Sequence, residues 1–198
     1  MRTRILQIGE HNTATVVEAV GASLREGGVC IIPTDTLYGI VALDRFPDAV
    51  RRIYKIKRRS EHKPFIRLIG SFDAVGRYTA QQIPEQLKRF WPGPLTIVFL
   101  SKSGGTVSLR YPDDSFLQSI FHAVHFEVLV APSANISGQQ NILRCEDLVS
   151  TFFGQVDTIV CGKEGQARSS ASTIIDITNA EWKILRQGDI ELNLNSQE

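Results

Sequence analysis

The chain has 198 residues, of which 42% are hydrophobic, and its 22 Lys and Arg residues against 21 Asp and Glu residues leave a formal net charge of +1. This length and composition suit one domain with a core of ordinary size, and we expect a single domain over residues 1–198. The charge balance argues against a protein whose main function is to bind nucleic acid. No stretch approaches the ~18 to 20 consecutive apolar residues that span a bilayer, and the first residues lack the apolar run of a signal peptide. We therefore expect a cytoplasmic protein that does not bind membranes.

Helix and strand patterns alternate along the chain with short connections, which favours an α/β fold. The first helix is predicted between Asn12 and Gly27, and the β-branched run "VCIIP" at 29–33 is typical of a buried strand. Pro33 ends this strand, so residues 34–39 are predicted to form a loop at its carboxyl end. Further strands are predicted near residues 64–69, 94–100, 106–111, 127–131, 157–161, 172–178 and 182–186. Further helices are predicted over residues 47–57, 71–79, 84–91, 113–124 and 144–153.

The cysteines and histidines give no pattern of a disulfide framework or of a metal site. Cys30, Cys145 and Cys161 are widely spaced and contain no Cys-x-x-Cys pair, so we interpret them as buried thiols. His122 and His125 lie three residues apart on a predicted helix, but no further ligand pattern accompanies them. The sequence therefore predicts no metal site formed by the protein.

Positive charge concentrates where the predicted helix 47–57 ends. Arg51, Arg52 and Lys55 are interpreted as solvated residues of the helix surface. Lys57 and Arg59 differ, because they occupy the turn that leads to the next strand, where side chains can converge on one ligand. Closely placed cations repel each other unless an anion neutralises them, and phosphate accepts several such donors at once. This turn is therefore a candidate phosphate site.

Several separated motifs resemble, in the correct order, those of the YrdC/TsaC family, the L-threonylcarbamoyladenylate synthases. The motifs are "IIPTDTLYGI", Lys57-x-Arg59, "WPGPLTIVF", "LRYP", "APSANISG", "STIIDIT" and "ILRQGDI", which together extend from about residue 29 to residue 190. The resemblance implies a twisted mixed β-sheet flanked by helices, with a concave, positively lined cavity. It also implies that ATP, L-threonine and bicarbonate are converted to threonylcarbamoyl-AMP and pyrophosphate, the first step in making N6-threonylcarbamoyladenosine on tRNA. Mg²⁺ would accompany ATP, and the transferase proteins of the same pathway would be partners.

The resemblance also implies roles for eight residues. Arg110 ends a strand, where an Arg can bind a carboxylate through two parallel hydrogen bonds. The residues matching threonine contacts are Thr34, Arg110 and Ser172. Those matching catalytic and phosphate-binding positions are Lys57, Arg59, Ser133 and Asn135, and Arg186 matches a further nucleotide contact. Other interpretations stay open, because Ser and Asn also cap turns, Thr and Ser also occur at strand ends, and Arg186 could be a surface cation.

Two other functions remain open at this point. A basic concave surface could hold tRNA or another RNA in place of ATP, or the chain could be a paralogue that keeps the fold without the activity. The presence of both the Lys-x-Arg and the Ser-x-Asn pairs argues against the second alternative. The segment after Gly138, "QQNILRC", departs from the family pattern and leaves an ATP contact near Leu143 undecided. No G-x-x-x-x-G-K-[ST] loop occurs, so a nucleotide would have to be held in another way.

Overall fold

Most of the chain forms one large mixed β-sheet flanked by helices. The structure is a computed structural model that describes residues 2–162 and 171–192. Ten strands within these ranges follow the order β1-β8-β2-β3-β7-β4-β6-β5-β9-β10. The strands are β1 (Arg4–Gln7), β2 (Cys30–Ile32), β3 (Gly39–Leu43), β4 (Arg67–Leu68), β5 (Leu95–Leu100), β6 (Thr106–Arg110), β7 (Leu129–Val130), β8 (Thr158–Cys161), β9 (Thr173–Asp176) and β10 (Lys183–Arg186). Parallel and antiparallel pairs alternate irregularly, which confirms the predicted mixed α/β class.

The strands contain two elements that the sequence patterns did not predict. β1 is an edge strand with three of its four side chains exposed, so it shows no alternation between apolar and polar residues. β3 is buried throughout and pairs antiparallel with β2, directly after the 34–38 loop. The other eight strands confirm the predicted positions, most of them with shorter bounds.

Six α-helices occur within the described ranges. They are α1 (Thr13–Arg25), α2 (Pro47–Lys57), α3 (Val75–Tyr78), α4 (Glu85–Lys88), α5 (Ser115–Ala123) and α6 (Cys145–Phe152), and a short 3-10 helix at Phe72–Ala74 precedes α3. α2 has Pro at its first turn and ends at Arg58, which adopts the left-handed conformation with φ 50°. The main-chain N–H of Arg59, the next residue, still donates to the carbonyl oxygen of Tyr54 in the helix, at 3.0 Å.

The sheet is buried on both faces near its centre. Cys30 and Ile32 of β2 pack with α1 and α5, whereas Ile31 packs with α2 and α6 on the opposite face. A third apolar cluster surrounds Ile97 and Phe99 of β5. Because successive strand residues point to opposite faces, this packing fixes the register of the central strands and holds their ends rigidly.

The structure corrects the interpretation of two cysteines. Cys145, at the start of α6, and Cys161, at the end of β8, form a disulfide with Cα atoms 5.4 Å apart, whereas Cys30 is free and buried. The sequence could not show this pair, because the return of the chain from α6 to β8 brings together residues that are 16 positions apart. His122 packs edge-on against Phe126, and His125 lies beyond the end of α5.

No helix within residues 2–162 and 171–192 is long and apolar enough to cross a membrane.

Candidate active site

One cleft collects five of the eight predicted site residues. Thr34, Arg110, Ser133, Ser172 and Arg186 line it, and its empty volume, counted out to the open mouth, is ≈ 400 Å³. The residues meet because they lie at or next to the ends of β2, β6, β7, β9 and β10, and these strands belong to one twisted sheet. A bridge between Gly39 and Ser133 closes the wall on the β3 side.

The 34–38 loop forms a tight polar wall of this cleft. The Thr34 hydroxyl donates to the carbonyl oxygen of Leu37 at 2.6 Å and accepts from the main-chain N–H of Thr36 at 3.1 Å. Thr34, Asp35 and Thr36 are all buried, between 4% and 8% exposed. Because the hydroxyl of Thr34 satisfies the loop's own backbone, the loop keeps its shape without a ligand.

Arg110 ends β6 and is held from two directions. Its Nη1 donates to the Thr36 hydroxyl at 2.8 Å, and its Nη2 lies 3.2 Å from Oδ1 of Asp35. Burial lowers the pKa of Arg110, and the charges of Asp35 and Asp114 oppose that shift. The side chains of Arg110 and Asp35 are only 6% and 4% exposed, so the ion pair lies almost entirely out of water. It nevertheless belongs to the cleft through Arg110, which lines it.

A second hydrogen-bonded group joins the last two strands to the cleft. The hydroxyls of Thr96 and Ser172 lie 2.8 Å apart, and Arg186 donates to both the hydroxyl and the carbonyl oxygen of Ser172, at 2.9 Å each. Burial lowers the pKa of Arg186, as does the positive charge of Arg110. Thus the positive charges of two guanidinium groups, Arg110 and Arg186, interact at one cleft, and together they favour binding of an anion there.

Lys57 connects α2 to the "SAN" turn behind the cleft wall. Its ammonium donates to the carbonyl oxygens of Ser133 and Asn135 at 2.5 and 2.6 Å and to Oδ1 of Asn135 at 3.1 Å. The hydroxyl of Ser133 also donates to that Oδ1, at 2.7 Å. Burial, and next the positive charge of Arg59, lower the pKa of Lys57 to about 8. All three ammonium donors are engaged within the protein, and neither Lys57 nor Asn135 lines the cleft.

Arg59 lies at the surface next to this group. Its Nε donates to the carbonyl oxygen of Lys63 at 3.0 Å, and its guanidinium lies 5.3 Å from the ring centre of Phe65. Phe65 in turn stacks on Tyr54, with ring centres 3.9 Å apart. Arg59 is half-buried and is not one of the cleft-lining residues. The predicted phosphate site is therefore split between a buried lysine and a half-buried arginine, neither of which lines the cleft.

Comparison with known proteins identifies the family. The model of the family described as "Telomere recombination", Sua5_yciO_yrdC, matches residues 22–188. The chain belongs to the Sua5/YciO/YrdC family. This agrees with the resemblance carried by the separated motifs, which the matched range largely contains.

Curated members of the Sua5/YciO/YrdC family similar to this chain are named threonylcarbamoyl-AMP synthase. The protein from Pyrococcus abyssi is 34% identical over 96% of this chain and 59% of its own length. The human protein is 33% identical over 87% of this chain and 67% of its own length. The chain thus spans about three fifths to two thirds of these relatives. A putative threonylcarbamoyl-AMP synthase from Methanocaldococcus jannaschii is 29% identical, with 96% of this chain and 93% of that protein covered.

Solved structures of the family have the same fold. The crystal structure of Pyrococcus abyssi Sua5 complexed with L-threonine matches with a TM-score of 0.84 and 32% identity, covering 94% of this chain and 58% of that one. Escherichia coli YciO matches with the same TM-score of 0.84 at 20% identity, over 97% and 98% of the two chains. The second likeness concerns the fold alone.

The sequence predicted no role for three residues that contact the cleft arginine Arg110 or Ser172, namely Asp35, Thr36 and Thr96. Asp35 and Thr36 lie inside a recognised motif, but their contacts with Arg110 depend on strand β6, more than 70 residues away. Thr96 follows the "WPGPL" segment, and it is fully buried and bonded to Ser172. The register of β5 places Thr96 opposite Arg110, which brings these two polar side chains into one row of the sheet.

No cluster of three or more His, Cys, Asp or Glu side chains suited to a cation lies within the parts of the chain that the structure describes. The carboxylate of Asp35 pairs with Arg110, which lines the cleft.

Proposed function

We propose that the chain is a threonylcarbamoyl-AMP synthase, which converts ATP, L-threonine and bicarbonate to threonylcarbamoyl-AMP and pyrophosphate. The observation that carries this proposal is that two cations, Arg110 and Arg186, line one cleft and are close enough for their charges to interact. The hydroxyl-bearing residues Thr34 and Ser172 line the same cleft. The reaction brings a carboxylate, bicarbonate and a triphosphate together, so its site requires fixed cations. The naming of the curated relatives supports the same activity.

The threonine subsite is assigned to the Arg110 end of the cleft. Arg110 would donate to the threonine carboxylate, because a guanidinium matches the geometry of a carboxylate with two parallel hydrogen bonds. Thr34 and Ser172 line the same space and would contact the remaining polar groups of the amino acid. The bound threonine in the Sua5 structure from Pyrococcus abyssi supports this choice of ligand.

The nucleotide subsite is assigned to the Ser133, Arg59 and Arg186 side. Lys57 would act mainly by placing its charge behind the Ser133–Asn135 turn and by fixing the conformation of that turn, since its donors are already engaged. Arg59 is less enclosed than Lys57, because it is half-buried at the surface, where its Nε and Nη2 donate to the carbonyl oxygens of Lys63 and Pro64 at 3.0 and 3.4 Å. Positioned cations of this kind stabilise the charge that develops on a leaving pyrophosphate.

The reaction needs no protein nucleophile. The threonine amine attacks the carbon of bicarbonate, water leaves, and an oxygen of the resulting carbamate attacks the α-phosphorus of ATP while pyrophosphate departs. The chain's contribution would be to hold the three reactants in line and to neutralise their charge. Mg²⁺ on the triphosphate would supply further charge neutralisation. Transferase proteins of tRNA modification as partners and a cytoplasmic location remain predictions from the sequence.

The test is a pyrophosphate-release assay with the purified chain. Given ATP, Mg²⁺, L-threonine and bicarbonate, the chain should release pyrophosphate and form an adenylate, and omission of threonine or bicarbonate should stop both. Release of orthophosphate, or pyrophosphate release that does not depend on threonine, would overturn the proposal. Tight binding of tRNA without any such turnover would instead favour the RNA-binding alternative.

A further inference from the structure

The ion pair between Asp35 and Arg110 is unusual because it is nearly dry and incompletely bonded. Both side chains are at most 6% exposed, and Oδ1 and Oδ2 of Asp35 as well as Nε of Arg110 have no hydrogen-bond partner among residues 2–162 and 171–192. The carboxylate lies 3.2 Å from Nη2 of Arg110. Breaking a buried pair of this kind leaves an uncompensated charge, which is costly, so Asp35 stabilises the charge of Arg110 at this depth.

The two cleft arginines, Arg110 and Arg186, therefore differ in how far a neighbouring carboxylate compensates their charge. Arg110 faces the cleft with its charge largely compensated by Asp35, whereas Arg186 has no carboxylate partner among the residues that the structure describes and donates to Ser172 instead. Asp35 itself does not line the cleft. Its influence on any ligand must consequently pass through Arg110.

We propose that Asp35 is a positioning residue that makes the Arg110 subsite selective for an amino acid over a bare inorganic anion. The Thr36 hydroxyl accepts a hydrogen bond from Nη1, and the negative charge of Asp35 attracts Nη2 at 3.2 Å, so these two contacts orient the guanidinium and the N–H groups that it offers to a ligand. Because Asp35 also cancels much of the charge, an anion that contributes charge alone is held weakly there. A carboxylate that also brings groups for Thr34 and Ser172 is held better.

This inference rests on the proposed function, and its test is designed to separate the two. Binding of L-threonine is measured by calorimetry on the whole chain, with and without sodium sulfate as the competing anion and sodium chloride at equal ionic strength as the salt control. In the wild type, a tenfold molar excess of sulfate over threonine should change the apparent threonine affinity less than about twofold.

Asp35→Asn keeps the shape of the side chain but removes its charge. We expect this variant to bind threonine about tenfold more weakly, since the guanidinium is no longer oriented, and to become strongly sensitive to the same sulfate excess. Asp35→Glu restores the charge and should restore resistance to sulfate. Asp157→Asn is the matched control, because it breaks another Asp–Arg pair, with Arg52, outside the cleft. It should leave both measurements unchanged.

The outcomes distinguish the two ideas. A wild type that binds no threonine would defeat the proposed function, whatever Asp35 does. A different outcome would overturn the role of Asp35 alone. In it, the wild type binds threonine, and Asp35→Asn, shown to be folded by its thermal unfolding, is no more sensitive to sulfate than the wild type. If Asp35→Asn does not fold, the wild-type competition decides, and easy displacement of threonine by sulfate would contradict the proposal.

Discussion

The side chain of Lys57 donates to both the main-chain and the side-chain oxygen of Asn135, at 2.6 and 3.1 Å, although the two residues are 78 positions apart. The Lys-x-Arg and Ser-x-Asn motifs are therefore parts of one hydrogen-bonded group. Lys57 lies at the end of α2, and Asn135 lies in the turn that follows β7. Disturbing either residue should affect the shape of the cleft wall at Ser133.

The first prediction concerns Asn135→Ala. This change removes an acceptor from Lys57 and from Ser133, and a donor that bonds the carbonyl oxygen of Gln139 at 2.7 Å. Leaving buried polar groups without partners should lower the free energy of unfolding by about 1 to 3 kcal/mol. Denaturant unfolding measures the loss. Asn141→Ala is the control, because Asn141 is exposed, and it should change the same quantity by less than ~0.5 kcal/mol. Similar losses in both variants would contradict the role of this group.

The second prediction follows from the lowered pKa of Lys57, which burial and the charge of Arg59 bring to about 8. ATP affinity should fall as the pH rises through about 8, since Lys57 then loses its charge behind the Ser133 turn. The effect on stability has the opposite sign. Between about pH 8 and 10.5 the unfolded chain binds more protons at this residue, so its contribution to the free energy of unfolding rises with pH.

Lys57→Arg provides the comparison for this pH dependence, because its guanidinium stays charged throughout the range. ATP titrations between pH 7 and 9.5 should show a decline in the wild type and a flatter profile in the variant. Parallel profiles for the two proteins would show that another group is responsible.

The third prediction separates the two arginines at either end of the basic segment. Arg59→Ala should weaken ATP binding, whereas Arg51→Ala should change it little. Arg51 pairs with Asp48 on an exposed helix surface, where such pairs contribute ~0 to 1 kcal/mol. A phosphate-paired arginine contributes more. Equal losses of ATP affinity in the two variants would indicate a diffuse basic surface and favour RNA binding.

The fourth prediction concerns the Cys145–Cys161 disulfide. When the chain is unfolded without a reducing agent, a thiol reagent should label Cys30 alone. After reduction, the reagent should label all three cysteines. The oxidised chain should also be more stable than the reduced chain by roughly 3 kcal/mol, the value expected for a closed loop of about 15 residues. Mass spectrometry counts the labelled thiols. Three labelled cysteines in the chain before reduction would show that the bond does not form in solution.

Local patterns predicted much of the fold because most elements bury one apolar face. α2 is an example, since Pro47 and the spacing of Ala49, Ile53 and Ile56 fix both its start and its buried side. The predictions missed β1 because an exposed edge strand needs no alternation. They missed β3 because its apolar run was not separated from the preceding loop. Local patterns cannot predict the register in which strands that are distant in sequence pair with each other.

The candidate site shows the same limit. Motif order predicted the residues that line the cleft, Thr34, Arg110, Ser133, Ser172 and Arg186, and the structure brings them together. The bond between Thr96 and Ser172 depends on the parallel pairing of β5 with β9, which no short pattern specifies. The position of Lys57 behind the wall likewise depends on how α2 packs against the turn after β7.

The last prediction tests the assignment of the two subsites through Arg110→Lys. The change keeps a positive charge but removes the planar fork, so threonine affinity should fall about 10- to 100-fold, or ~1.5 to 3 kcal/mol, while ATP affinity changes little. Calorimetric titration of each ligand measures the two effects separately. Arg67→Lys is the matched control, because Arg67 is also a strand arginine paired with an aspartate, Asp44, at 3.0 Å, but it is only half-buried and does not line the cleft. It should alter neither affinity. The wild type should prefer threonine over serine only modestly, since one methyl group in a pocket contributes roughly 1 to 3 kcal/mol. Loss of ATP binding with threonine binding intact in Arg110→Lys would mean that the two subsites are reversed.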